Sequence, residues 1–141
     1  MLIKLNKAFK IFINEKHSDI VCQDFTQYMA YMNVNKRGGT STASGKDEAA
    51  VINYAKRYKD FILREIEILS SNREGVSVFV CGSKSYFTRL MGALFGEKVK
   101  IQCKNAIAQP DCYHNLSFIQ IPHPSYWKVD FEELAKEMQK R

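Results

Sequence analysis

The chain has 141 residues, 45% of them hydrophobic and 26% charged, proportions that fit a single domain over residues 1–141 and exclude a disordered or low-complexity polypeptide. No apolar run approaches the roughly 20 residues of a membrane span, and the opening "MLIKLNKAFKIFINEKH" scatters lysines where a secretory signal needs an unbroken apolar stretch. The formal net charge is +6, and five basic residues (Lys84, Arg89, Lys98, Lys100, Lys104) against one acid, Glu97, between Gly82 and Lys104 admit nucleic acid as a partner without requiring it.

Leu2, Leu5, Phe9, Phe12 and Ile13 recur at helical spacing and predict an N-terminal amphipathic helix. "TQYMAYMNVN" reads as a strand ending near Val34, and "NKRGGTSTASGKD" as a loop rich in glycine and hydroxyl residues. Val51, Tyr54, Ala55, Tyr58, Ile62, Ile66 and Leu69 form one stripe, which predicts a helix from about Asp47, its N-cap, to Ser70. "GVSVFVCG" reads as a fully buried strand. "SKSYFTRLMGALFG" is helical with Gly96 near its C-cap. "KVKIQC" is a short strand, "NAIAQPDCYHN" a loop, "LSFIQI" a strand, and "DFEELAKEMQKR" a helix capped by Asp130. Strands separated by helices predict an α/β fold, a three-layer αβα arrangement about a short, mainly parallel sheet.

Ligands of such sheets gather outside the carboxyl ends of the strands. Three loops fall there: Asn33 to Gly39, Gly82-Ser83-Lys84, and His123 to Trp127. The last is the most distinctive, because two of the chain's three prolines, Pro122 and Pro124, flank His123. Proline fixes its own φ and pushes the residue before it towards extended conformations, so the imidazole is held from both sides. The four cysteines form no CxxC pair, which predicts reduced thiols in a cytoplasmic protein. Cys103, Cys112, His114 and His123 match no common zinc spacing, so neither a metal nor another cofactor is expected.

At these three strand ends the sequence resembles the uracil-DNA glycosylase superfamily, over roughly residues 28–127. "YMAYMNVNK" looks like the strand whose end supplies the base-reading asparagine, Asn33, with Asn35 as its alternate. "VFVCGSKSY" looks like the strand entering the phosphate-pressing Gly-Ser loop, Gly82-Ser83. "IQIPHPSYW" looks like the loop whose histidine, His123, bonds the departing base while Ser125 follows it. Tyr126 and Trp127 stand where the family usually has proline and leucine, and are read as an aromatic wedge or stacking platform. Nothing upstream of Asn33 reads as "GQDP" or "GxNPG", the family's water-activating motif; Asp19 and Asp24 are the acids before Asn33 that could substitute.

The resemblance implies a monomeric, glycosylase-like protein that binds DNA or a flipped nucleobase and hydrolyses an N-glycosidic bond. A neutral histidine donating to the leaving base is a form of oxyanion stabilisation. The alternative is an inactive module of the same fold that binds nucleic acid, a nucleotide or a protein partner. Lys84 and Arg89 are candidate DNA contacts, and Lys36-Arg37 leads a loop whose backbone N–H groups suit a phosphate. Each residue also has a plainer role: Asn33 bonding local backbone, Ser83 capping the next helix, Tyr126 and Trp127 sealing the core edge, His123 as an ordinary loop residue.

Overall fold

The computed structural model describes residues 2–16, 30, 32, 34, 45–73, 75–96, 100–102, 107–123, 128 and 130–139. Two strands organise them. β1 (Val76–Cys81) and β4 (Leu116–Ile121) run parallel, paired from Val76 with Leu116 to Cys81 with Ile121. Successive side chains of a strand point to opposite faces. Val76, Val78 and Val80 therefore join Leu116 and Phe118 on one face, while Phe79 and Cys81 join Ile119 and Ile121 on the other.

Helices cover both faces. α1 (Leu2–Lys16) and α5 (Phe131–Gln139) pack on the Ile119 face through Leu5, Ala8, Phe9, Phe12, Leu134, Ala135 and Met138. The Phe12 ring meets Phe79 edge-on at 5.3 Å. α2 (Gly45–Arg57), α3 (Lys59–Ser70) and α4 (Lys84–Phe95) pack on the Phe118 face through Ile52, Ala55, Ile62, Ile66, Phe87, Leu90, Met91 and Leu94. Asp130 caps α5, its Oδ1 accepting from the Glu133 N–H at 2.8 Å. Gly96 ends α4 at φ 71, a left-handed conformation that glycine adopts without steric cost.

The sheet corrects the expectation of mainly parallel pairing. β2 (Lys100–Gln102) and β3 (Ile107–Gln109) are antiparallel to each other, and β3 is antiparallel to β4, in the order β1-β4-β3-β2. One of the three pairings is parallel, so the fold is α/β with a mixed sheet. The cause is β3, which lies inside the stretch read as a loop. Three residues are too few to show an alternating pattern, yet Ile107 and Ala108 are both buried, one on each face. β1 is an edge strand among those described, which is why all six of its residues are only partly buried rather than enclosed.

The helix expected from Asp47 to Ser70 is two. It begins at Gly45, placing Asp47 in the first turn instead of at the cap, and it bends at Tyr58 (φ −115, ψ 24). The helical bonds continue across the bend, Tyr58 N–H to Tyr54 O at 3.0 Å and Ile62 N–H to Tyr58 O at 3.1 Å. The stripe is re-aimed there, so Ile62 and Ile66 are buried while Leu69, its last member, is 48% exposed. Of the strand expected to end near Val34, Ala30 and Met32 have no regular structure and Val34 lies in a bend; its other residues lie outside those described. Met32 and Val34 nonetheless pack against the Phe118-side core.

Candidate functional site

The parallel pairing of β1 and β4 brings two of the three expected loops to one edge. The Gly82 N–H donates to the Ile121 carbonyl at 2.9 Å, so the turn after β1 and the Pro122-His123 segment after β4 start side by side. The side chain of Gln120 ties them again, its Nε2 donating to the Gly82 carbonyl at 2.8 Å. Asn33, Asn35, Lys36, Arg37, Ser125, Tyr126 and Trp127 lie outside the described residues, as do Asp19 and Asp24.

Gly82 is required by its surroundings. A Cβ at this position, where φ is +157, would lie 2.6 Å from Cδ1 of Tyr86, closer than real Cβ atoms approach. Ser83 then opens α4 as its N-cap, the hydroxyl oxygen accepting from the Tyr86 N–H at 3.0 Å. The plainer role and the phosphate role are compatible, because a serine hydroxyl that accepts one bond still has a proton to donate. The first-turn N–H groups and the positive end of the helix dipole face the same edge, with the exposed side chain of Lys84 beside them.

Arg89 belongs elsewhere. It is five residues beyond Lys84, roughly 140° around the helix, and its guanidinium lies 3.8 Å from Glu48 on α2. The Lys84 and Arg89 side chains therefore do not form one surface.

Electrostatics separate the groups at this edge by reactivity. His123 is exposed, but partial desolvation lowers its pKa from the ordinary 6.5, so the imidazole is neutral at neutral pH. Burial pushes the Cys81 thiol up to about 11, which leaves it protonated and unreactive. The Tyr86 phenol is pushed up to about 12, first by burial and then by the charges of Glu48 and Cys81. The Cys81 thiol and the Tyr86 phenol thus both stay neutral at neutral pH. Among the described residues, no group of three or more His, Cys, Asp or Glu side chains could hold a metal ion, and no helix is long and apolar enough to cross a membrane.

Two residues of this edge were not anticipated from sequence. Gln120 carried a signal: it is a polar residue that follows Leu116 and Phe118 on one face of the strand, and its burial at 7% exposure demands a partner. Tyr86 carried none, since an aromatic one turn into a helix reads as ordinary core. No protein-family model matches the chain, and no curated protein or solved structure matches it.

Proposed function

We propose that this chain is a uracil-DNA-glycosylase-like protein that binds DNA at the carboxyl edge of β1 and β4 and holds an extrahelical base against His123. The observation that carries the reading is the adjacency of the Gly82-Ser83 turn and the His123 segment, fastened by the 2.9 and 2.8 Å bonds across the strand pair. Ser83, the first turn of α4 and Lys84 supply donors and positive charge suited to a backbone phosphate. His123, neutral at neutral pH, donates an N–H to the oxygen of a base that departs as an anion. Asn33 would read the base edge. The mixed sheet departs from the mainly parallel one that strands separated by helices predict, so the reading rests on the strand pair that is parallel.

A second reading is favoured by the absence of any "GQDP" or "GxNPG" stretch upstream of Asn33. The same edge then binds an extrahelical base without cleaving it, for want of a positioned water.

The deciding experiment incubates the protein with single- and double-stranded DNA containing uracil, hypoxanthine or a bulky modified pyrimidine and assays alkali-labile abasic sites. If the protein cleaves, His123→Ala lowers product formation about 10²–10³-fold, the loss of one preorganised donor, and leaves DNA affinity nearly intact. If it only binds, no abasic product forms and His123→Ala weakens affinity for the extrahelical base. Affinity should also fall with added salt, with a log–log slope set by the phosphates neutralised, and Lys84→Glu should weaken all DNA sequences alike. Binding that is flat from low to physiological salt would refute both readings.

A further inference from the structure

α3 has two sets of apolar side chains, and the fold buries one. Ile62 and Ile66 lie in the core on the Phe118 side of the sheet. Phe61, Ile68 and Leu69 are the large apolar side chains left exposed among the described residues, at 56, 60 and 48%, and none of them belongs to either core. Phe61 and Ile68 are seven residues apart, which sets them within about 20° of each other around the helix and about 10 Å apart along it. A single exposed apolar residue needs no explanation, but three on one 12-residue helix form a patch, and patches mark interaction sites.

The charges around the patch indicate what covers it. α3 carries Lys59 and Arg64 against Asp60, Glu65 and Glu67, a net −1 within a chain of +6. A polyanion such as a nucleic acid strand or an acidic membrane therefore gains nothing there. The charges are instead sorted by end. Lys56, Arg57 and Lys59 outnumber Asp60 before Phe61, whereas Glu65 and Glu67 outnumber Arg64 before Ile68. Arg64 and Glu67 pair at 2.7 Å yet stay 67 and 53% exposed, and a carboxylate has acceptor positions for a second cation. A helix that is basic at one end and acidic at the other is complementary to itself in the antiparallel orientation, which a two-fold axis across the helix imposes.

We infer that α3 is a self-association surface: two copies of this chain pack antiparallel through Phe61, Ile68 and Leu69, with the basic end of each α3 beside the acidic end of the other. This dimer replaces the monomer that the resemblance implies, and it is independent of what the β1–β4 edge binds. A 12-residue helix is about 18 Å long and offers less than the roughly 800 Å² per partner of a standard interface, so the dimer is weak and concentration-dependent.

Sedimentation equilibrium of the full chain from about 5 μM to about 1 mM tests it. The weight-average mass should rise from the 16.3 kDa of one chain towards twice that value. Ile68→Glu and Phe61→Ser, both at exposed positions, should each raise the dissociation constant about tenfold, since every substitution enters the interface twice. Lys59→Glu and Glu67→Lys should each weaken association about threefold, and an equimolar mixture of the two should associate more tightly than either alone, because opposite charges meet again. In the wild type, amide resonances of Phe61, Arg64 and Ile68 should shift on dilution while those of α5 stay in place, which maps the surface even if a variant does not fold. A mass of 16.3 kDa throughout the series overturns the inference. So does association that I68E and F61S leave unchanged, a mixture of K59E and E67K no tighter than its components, or dilution shifts confined to other helices. Binding of a single-stranded oligonucleotide that I68E abolishes, without self-association, assigns the face to nucleic acid and likewise overturns it.

Discussion

At the amino end of β4, Asn115 donates through Nδ2 to the carbonyls of Arg73 at 3.1 Å and Ser70 at 3.5 Å, and its own carbonyl accepts from the Val76 N–H at 2.9 Å. At the carboxyl end, Gln120 donates to Gly82. Both amides bridge β4 to the chain around β1, yet they leave different surroundings. The Asn115 corner consumes the last carbonyl of α3, that of Arg73 beyond it and the first N–H of β1, so its polar groups are spent on closure. The Gln120 corner satisfies one carbonyl and stands beside a capping serine, a helix N-terminus and an exposed histidine. One end of the strand pair is a structural joint; the other is the edge at which binding is proposed.

Gly82→Ala attacks the second corner most directly. Its Cβ would meet the Tyr86 ring at 2.6 Å, and the overpacking should cost about 1–3 kcal/mol in urea unfolding. Adding Tyr86→Ala should make the glycine substitution less costly, a coupling measurable by a double-mutant cycle. Strict additivity would show that the approach of ring and turn is not tight.

Asn115→Ala and Ser83→Ala sharpen the contrast because each should cost about 1 kcal/mol of stability. Their effects on binding should part. Loss of Asn115 leaves DNA affinity unchanged, while loss of Ser83 weakens it. Equal effects of the two on binding would erase the distinction between joint and interface.

The smallest effect is a pH dependence. The folded-state pKa of His123 lies below its ordinary 6.5 because of desolvation. Between those two values the unfolded chain binds more protons, so this contribution to stability is intact above 6.5, declines as the pH falls through that window, and levels off below the folded value. His123→Gln should flatten the stability profile there, measured by denaturant titration from about pH 7.5 to 5. Parallel profiles for the two proteins would mean that the histidine is not desolvated.

The sequence was informative where a pattern ran long enough to repeat. Leu5, Phe9, Phe12 and Ile13 announced the buried face of α1, and Ser83, Gly96 and Asp130 marked helix ends through local chemistry. The apolar run of β4 likewise showed a buried strand. Tyr58 gave no sign of the bend between α2 and α3, because its helical bonds persist across it and its spacing continues the stripe. β3 was hidden by its brevity, and with it the mixed character of the sheet. Of the candidate site, a proline clamp drew attention to His123 and a Gly-Ser turn to Ser83, and the pairing of β1 with β4 brings their two segments side by side. Gln120 acts through a partner 38 residues away in sequence, and no local pattern reveals such a pairing.

That separation also bears on how the molecule assembles. β3 and β4 meet through near neighbours, as in the Gln109 to Ser117 bond across 8 residues, whereas β1 reaches β4 only after the whole of α4 and the hairpin have been traversed. Closing the longer loop costs more chain entropy, which favours formation of the β2-β3-β4 meander ahead of β1 docking. The Gly82–His123 edge is created by that docking step. An opening in which β1 alone peels from β4 therefore dismantles the edge without global unfolding, and the Gly82 amide is the natural reporter of it in hydrogen exchange.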